Sequence, residues 1–77
     1  MKGEKYNGWA NWDTWNLNLW LDNERRNYDF CRRNKSKLLK MNKVNLLLAL
    51  KRNCIFKDKF DWSKINITET KANIREM

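Results

Sequence analysis

Residues 11–24 read NWDTWNLNLWLDNE, and the rest of the chain is organised around this segment. It contains three of the five tryptophans and no lysine or arginine. Asn11 is a good N-cap, because its side chain can accept a hydrogen bond from an unpaired amide of the first helical turn. Asp13 then falls in that turn, where the helix dipole favours a carboxylate. These signals predict a helix that begins after Asn11 and bends or ends near Asp22.

A β-strand over residues 15–21 is the alternative. Trp15, Leu17, Leu19 and Leu21 occupy every second position there, which is the period of a half-buried strand. The capping residue and the acidic first turn favour the helix. The predicted fold class is therefore mainly α, with α+β as the alternative.

A second short helix is predicted from Glu24 to about Arg33. Tyr28 and Cys31 are three residues apart and are expected to face inward on it. The polar residues 34–36 are expected to form the turn that follows.

Asn42 is a candidate N-cap for another helix, which Asn53 is expected to end. The apolar stripe of that helix is expected to consist of Val44, Leu47, Leu48 and Cys54, widened by Leu46 and Leu50. Its leucine-rich run favours both helix formation and burial.

Asp61 is a further candidate N-cap, with Trp62 and Ile65 one turn apart on a buried face. Residues 68–70 are expected to continue or restart this last helix. Proline is absent, so the turns are expected to use Asn and Asp.

We predict one domain over residues 1–77, with an irregular lead-in at residues 1–10 and a frayed tail at residues 75–77. It is expected to hold three to five short helices. A chain of 77 residues has little apolar material for a core, and aromatic side chains bury large areas. The core is therefore predicted to be rich in tryptophan, and its expected members are Trp12, Trp15, Leu19, Trp20, Leu47 and Trp62.

The same segment resembles the opening of a small domain found in phages, plasmids and other mobile elements of bacteria and archaea. The hallmark of that family is Asn-x-Glu-Thr-Trp, then an aliphatic residue and Leu-Trp, then an acidic Asn/Asp stretch. The residues here that match are Asn11, Asp13 (in place of Glu), Thr14, Trp15, Leu17, Leu19, Trp20, Asp22, Asn23 and Glu24. Further along, residues 28–30 are similar to the family's Tyr-x-aromatic helix and residues 61–65 to its closing Asp-Trp-x-x-Ile segment.

The resemblance implies a small, mainly helical domain without an established activity. It also implies an accessory role in a mobile element, such as host takeover or resistance to host defence. Family members are often acidic in the middle, whereas residues 25–64 of this chain are basic.

The net charge of +8 is unevenly distributed. Residues 25–64 carry thirteen Lys or Arg and three Asp. Such a segment attracts polyanions or acidic protein surfaces, and it also serves simply to keep a protein in solution. The candidate nucleic-acid or partner-binding residues are Arg25, Arg26, Arg32, Arg33, Lys35, Lys37, Lys40, Lys43, Lys51 and Arg52, with Trp9 as an aromatic contact that we expect to be exposed.

Catalysis is not predicted. The chain has no histidine and no C-x-x-C pair, and it lacks a glycine-rich phosphate loop and a nucleophile motif. Neither a metal nor a cofactor is expected. Cys31 and Cys54 are expected to be reduced thiols, and the absence of an apolar span or a secretory signal predicts a cytoplasmic protein, in the host cytoplasm if it is phage-encoded.

Two functional hypotheses follow. In the first, the protein is a non-enzymatic accessory protein of a mobile element that binds nucleic acid or a host nucleoprotein or defence complex through its basic face. In the second, it is a protein–protein inhibitor of the anti-restriction or anti-CRISPR type, which docks on an acidic host protein through aromatic residues.

Overall fold

A computed structural model describes residues 8–77, so most of the predicted lead-in, residues 1–7, lies outside the described residues. In the described part of the chain the backbone forms five α-helices and one short 3₁₀ helix. The α-helices are α1 (Trp12–Asn23), α2 (Arg25–Arg33), α3 (Lys35–Lys40), α4 (Lys43–Asn53) and α5 (Ile67–Arg75), and the 3₁₀ helix is Trp62–Lys64. The prediction of a mainly helical protein is confirmed, and the segment with the strand alternative lies inside α1.

Asparagine side chains cap the N-termini of three of the helices. Asn11, Asn42 and Asn66 each accept a hydrogen bond from the backbone N–H three residues later, at 2.8, 2.8 and 3.0 Å. Each bond satisfies an amide that has no partner inside its helix. The N-caps predicted at Asn11 and Asn42 are confirmed. Asp61 is also a cap, but of the 3₁₀ helix, and α5 begins only after Asn66.

The turn predicted at residues 34–36 is shorter than expected. Asn34 alone separates α2 from α3, and Lys35 is already helical. The side-chain amide of Asn34 donates a 2.9 Å hydrogen bond to the carbonyl of Phe30, which also accepts from the backbone N–H of Asn34 at 3.0 Å. A single residue is therefore enough to redirect the chain.

The core is aliphatic, and the prediction that tryptophan fills it is corrected. Of the six expected core residues only Leu47 is buried, whereas Trp12 and Leu19 are 42% and 39% exposed. Trp15, Trp20 and Trp62 are half-buried at the margin. The apolar residues that are buried are Leu17, Leu21, Cys31, Leu38, Leu46, Leu47, Leu50, Ile65 and Ile74.

The tryptophan prediction failed because α1 turns a partly polar stripe inward. Thr14 and Asn18 are fully buried on the same face as the core leucines of α1. The Asn18 amide donates to the hydroxyl of Thr70 at 3.2 Å, and its oxygen accepts from Asn73 at 3.0 Å. The Thr14 hydroxyl accepts from the backbone N–H of Asn66 at 2.9 Å. Because α5 and its N-cap supply these partners, the buried side chains of Thr14 and Asn18 are satisfied and α1 packs with its tryptophans outward.

A second buried amide joins α2 to the chain that follows α4. Asn27 donates to the carbonyl of Ile55 at 2.7 Å and to that of Trp20 at 3.3 Å. Its oxygen accepts from the N–H of Ile55 at 2.7 Å. Asn27 is fully buried beside Cys31, whereas Tyr28, which was expected to face inward, is half-buried.

The helices pack around this framework. α1 contacts α2, α5 and the 3₁₀ helix, and α3 contacts α2 and α5. In the predicted tail, α5 ends at Arg75 and Met77 packs against the edge of the core. None of the helices among residues 8–77 has the length and apolar character needed to span a bilayer.

Candidate functional site

The residues of the Asn-x-Asp-Thr-Trp motif hold α1 against the segment before α5. The Asn11 amide donates to the carbonyl of Lys64 at 2.8 Å. The carboxylate of Asp13 accepts from the backbone N–H of Asp61 at 2.8 Å. Together with the Thr14 contact to α5, these bonds give three motif positions a structural role. These three residues therefore stabilise the fold.

The arginines of α2 lie on one side of that helix. At 100° per residue they fall within an arc of about 120°. All are exposed, and the opposite side of α2 carries the buried Asn27 and Cys31. We call this set the arginine face; its members are Arg25, Arg26, Arg32 and Arg33.

Little negative charge opposes the arginine face. Asp29 lies within the same arc, and its carboxylate is 3.9 Å from the Nε of Arg25. Their side chains are 44% and 94% exposed, so solvent screens this pair and it contributes little. Arg26, Arg32 and Arg33 form no ion pair with any residue that the structure describes. Arg32 and Arg33 also lie in the last turn of α2, where positive charge stabilises a helix by roughly 0.3–1 kcal/mol.

Some of the other predicted binding residues are used inside the protein. The Lys35 ammonium donates to the carbonyl of Met77 and, at 3.3 Å, to that of Arg75. The Lys43 ammonium donates to the carbonyl of Ser63 at 3.0 Å. These two lysines tie down the end of α5 and the 3₁₀ helix. The predicted residues that are exposed to solvent on α3 and α4 are Lys37, Lys40, Lys51 and Arg52.

Lys51 also has a partner within the fold. Its ammonium lies 4.9 Å from the centroid of the Trp62 ring, a cation–π contact. Trp62 in turn packs at 5.3 Å on Phe56 and at 5.0 Å on Phe60, measured between ring centroids. This aromatic cluster fixes the connector between α4 and the 3₁₀ helix against the core.

Trp9 does not lie in a basic environment. It is half-buried in a shallow depression on α5 whose charged lining residues are Glu69 and Glu76. Trp12, at 42% exposed, is more accessible than Trp9, contrary to the expectation from the sequence. The structure therefore separates Trp9 chemically from the arginine face.

Several carboxylates accept hydrogen bonds from the chain itself. Asp58 accepts from the Trp20 indole at 3.2 Å, and Asp61 accepts from the backbone and hydroxyl of Ser63 at 3.0 and 2.6 Å. The Ser63 bonds lower the pKa of Asp61. Burial raises the pKa of Asp22, although a hydrogen bond from Asn73 opposes the shift. In residues 8–77 no group of three or more acidic or cysteine side chains could hold a metal ion, and the absence of catalysis stays a prediction.

The two thiols contact each other at the junction of α2 and the end of α4. Interaction with the Cys54 side chain, burial and the nearby charge of Asp22 raise the pKa of Cys31 well above its usual range. Interaction with Cys31 lowers the pKa of Cys54, although partial burial opposes the shift. Both are free thiols.

We expect an alkylating reagent to modify Cys54 well before Cys31 in the folded protein, because the thiolate is the nucleophile and Cys54 is the more accessible group. Mass spectrometry of peptides after timed iodoacetamide treatment measures both rates. Cys31 should react only after denaturant is added. Equal rates in the native protein would contradict the arrangement.

These features define a small helical protein with an arginine-rich surface on one helix and a hydrogen-bonded asparagine framework. A model of a family of unknown function, DUF7249, matches residues 2–77, so the chain belongs to that family. No curated protein and no solved structure matched the chain. The family match assigns neither an activity nor a source.

Proposed function

We propose that this protein binds nucleic acid, free or in a nucleoprotein complex, through the arginine face. The observation that carries the proposal is the arc of four exposed arginines on α2, three of them without an ion pair among the described residues. Guanidinium groups suit this role because each can form paired hydrogen bonds with phosphate oxygens.

The dimensions of the arginine face fit a phosphate backbone. The arginine face consists of two adjacent pairs. Their first members, Arg25 and Arg32, are seven residues apart, which corresponds to about 10 Å along the helix axis. Measured along the axis of a DNA duplex, that length corresponds to about three phosphate steps of one strand. Contacts of this kind position a protein on nucleic acid without reading bases, so sequence preference is not part of the proposal.

An accessory role in a mobile element is the second part of the proposal. This part rests on the resemblance of residues 11–24 to a domain of phages and plasmids. We propose that the protein acts in the cytoplasm of the host cell. A protein that binds nucleic acid there would meet the nucleoprotein machinery that a mobile element has to use or resist.

The test is a pull-down of the tagged protein from host lysate at low and high salt, with and without nuclease. We expect nucleic acid to be recovered at low salt and lost as salt rises, because counterion release makes phosphate binding strongly salt-dependent. A stoichiometric protein partner that survives both nuclease and high salt would contradict the proposal.

A protein partner of that kind would favour the second hypothesis, that the protein inhibits a host enzyme or defence complex. The observation behind this second candidate is the exposure of Trp12 and Leu19, which lie seven residues apart on one side of α1. Buried aromatic anchors dominate the energetics of many protein interfaces. Trp12→Ala would then remove the partner and leave nucleic-acid binding unchanged.

A further inference from the structure

The outer side of α4 exposes large aliphatic side chains that the sequence pattern assigned to the core. Val44 is 67% exposed and Leu48, one turn later, is 43% exposed. Of the residues predicted to be buried on α4, those that are buried are Leu46, Leu47 and Leu50. Neighbouring exposed aliphatic residues on one helix are more informative than a single exposed leucine, because such a patch typically marks an interaction surface.

These side chains form one wall of an open groove. Val44, Leu47 and Leu48 face Trp62 across it, and the groove has a volume of about 380 Å³. We call it the α4 groove; its remaining lining residues are Lys43, Lys51 and Ser63.

The second wall of the α4 groove is held in place by contacts already described. Trp62 is fixed between the Lys51 ammonium and the ring of Phe56. The Lys43 ammonium is bonded to the carbonyl of Ser63, which joins the start of α4 to the 3₁₀ helix. The groove is therefore formed before any partner arrives, which lowers the entropic cost of binding.

The rim of the α4 groove is positively charged. Lys43 and Lys51 stand on either side of the apolar residues, and the sequence of α4, KVNLLLALKRN, contains no acidic residue. An occupant that places carboxylates beside these ammonium groups gains complementary charge, which speeds association and selects against basic partners.

We propose that the α4 groove binds an amphipathic helix of another protein, one whose apolar side chains are flanked by Asp or Glu. Apolar residues at i and i+4 of such a helix have the same one-turn spacing as Val44 and Leu48. This inference goes beyond nucleic-acid binding and does not depend on the arginine face.

A second copy of the chain fits the α4 groove less well. In a symmetric contact the lysine rims of both copies would meet, and each copy carries a net charge of +8. Nucleic acid is also a poor match, because one wall of the groove is aliphatic and the ring of Trp62 on the other wall already has the Lys51 ammonium over it.

The test uses a synthetic 18-residue helical peptide with leucine along one face and glutamate on both sides of it. Binding to the full chain is measured by calorimetry. Two control peptides replace either all glutamates with lysine or all leucines with alanine. We expect only the leucine–glutamate peptide to bind.

Matched variants then locate the binding site. Val44→Asp places a carboxylate on the apolar residues of the groove, whereas Asn45→Asp adds the same charge to the same helical turn, outside the groove. Both positions lie in the first turn of α4, where Asp suits the helix dipole, so both variants should fold. We expect Val44→Asp to weaken peptide binding about tenfold or more and Asn45→Asp about twofold or less.

Leu48→Gln, a neutral change at an exposed site, should weaken binding as Val44→Asp does. The proposal is overturned if the wild-type protein does not bind the leucine–glutamate peptide, or if Val44→Asp and Asn45→Asp weaken binding equally. It is also overturned if the wild-type chain is a dimer that Val44→Asp converts to a monomer, because a second copy would then occupy the groove. Arg32→Glu/Arg33→Glu should leave peptide binding intact, which separates this test from that of the arginine face.

Discussion

Arg32→Glu/Arg33→Glu is expected to weaken nucleic-acid binding about 100-fold at low salt. Each arginine is exposed and free of ion pairs in the described structure, so each can form a charge-assisted contact with phosphate. The reversal removes two such contacts and introduces repulsion. Fluorescence anisotropy with a labelled oligonucleotide measures the change, and the slope of log K against log salt should fall by about 2.

The matched control is Lys57→Glu/Lys59→Glu. These lysines are exposed on the connector after α4, and their reversal removes the same amount of charge as the α2 variant. We expect the control to weaken binding about threefold or less, through the general field alone. Equal losses in the two variants would show that net charge, not the arginine face, determines affinity. Glutamate in the last turn of α2 could itself destabilise the helix. The neutral variant Arg32→Gln/Arg33→Gln removes the same contacts without that effect.

Asn27→Ala is expected to lower the free energy of unfolding by about 3 kcal/mol. The change leaves the N–H and carbonyl of Ile55 without the side-chain amide that now pairs with them, whereas the carbonyl of Trp20 keeps its bond from the N–H of Glu24. Unsatisfied backbone groups in a partly buried site cost about 1–3 kcal/mol each, and some will recover water. Since a domain of this size is stable by roughly 5–10 kcal/mol, the variant loses a large part of its stability.

Thermal unfolding followed by circular dichroism measures this loss, and the midpoint should fall by about 15 °C. Asn45→Ala is the control, since its side chain is exposed and only its backbone N–H is used at the start of α4. It should change the free energy of unfolding by less than about 0.5 kcal/mol. A near-normal midpoint for Asn27→Ala would mean that the connection between α2 and Ile55 is dispensable.

Helix starts were predictable from the sequence because capping is local. The side chains of Asn11, Asn42 and Asp61 bond to amides two or three residues away, so neighbouring residues contain the necessary information. The inward face of α1 depends on distant partners instead. Thr14 and Asn18 are buried because α5, about fifty residues later, supplies matching polar groups. The periodicity of apolar residues predicted that the tryptophans would be buried, because periodicity does not take into account polar partners on a distant helix.

In the candidate site, too, the features that depend on nearby residues were predictable and those that depend on distant partners were not. The spacing of the four arginines is sufficient to place them together once α2 is a helix. The roles of Lys35 and Lys43 were not predictable, because their acceptors are carbonyls 42 and 20 residues away. Val44 and Leu48 were assigned to the core because their helix is rich in leucine, but only one side of a surface helix can be buried in so small a domain.

The most direct test of the arginine face is a titration of the isotope-labelled protein with a short oligonucleotide, followed by NMR. We expect the shift changes to concentrate on the backbone and Nε–H signals of Arg25, Arg26, Arg32 and Arg33. The signals of α5 near Trp9 should not shift. Changes spread evenly over the basic residues, or confined to the α4 groove or the exposed side of α1, would contradict the assignment of the arginine face as the nucleic-acid-binding surface.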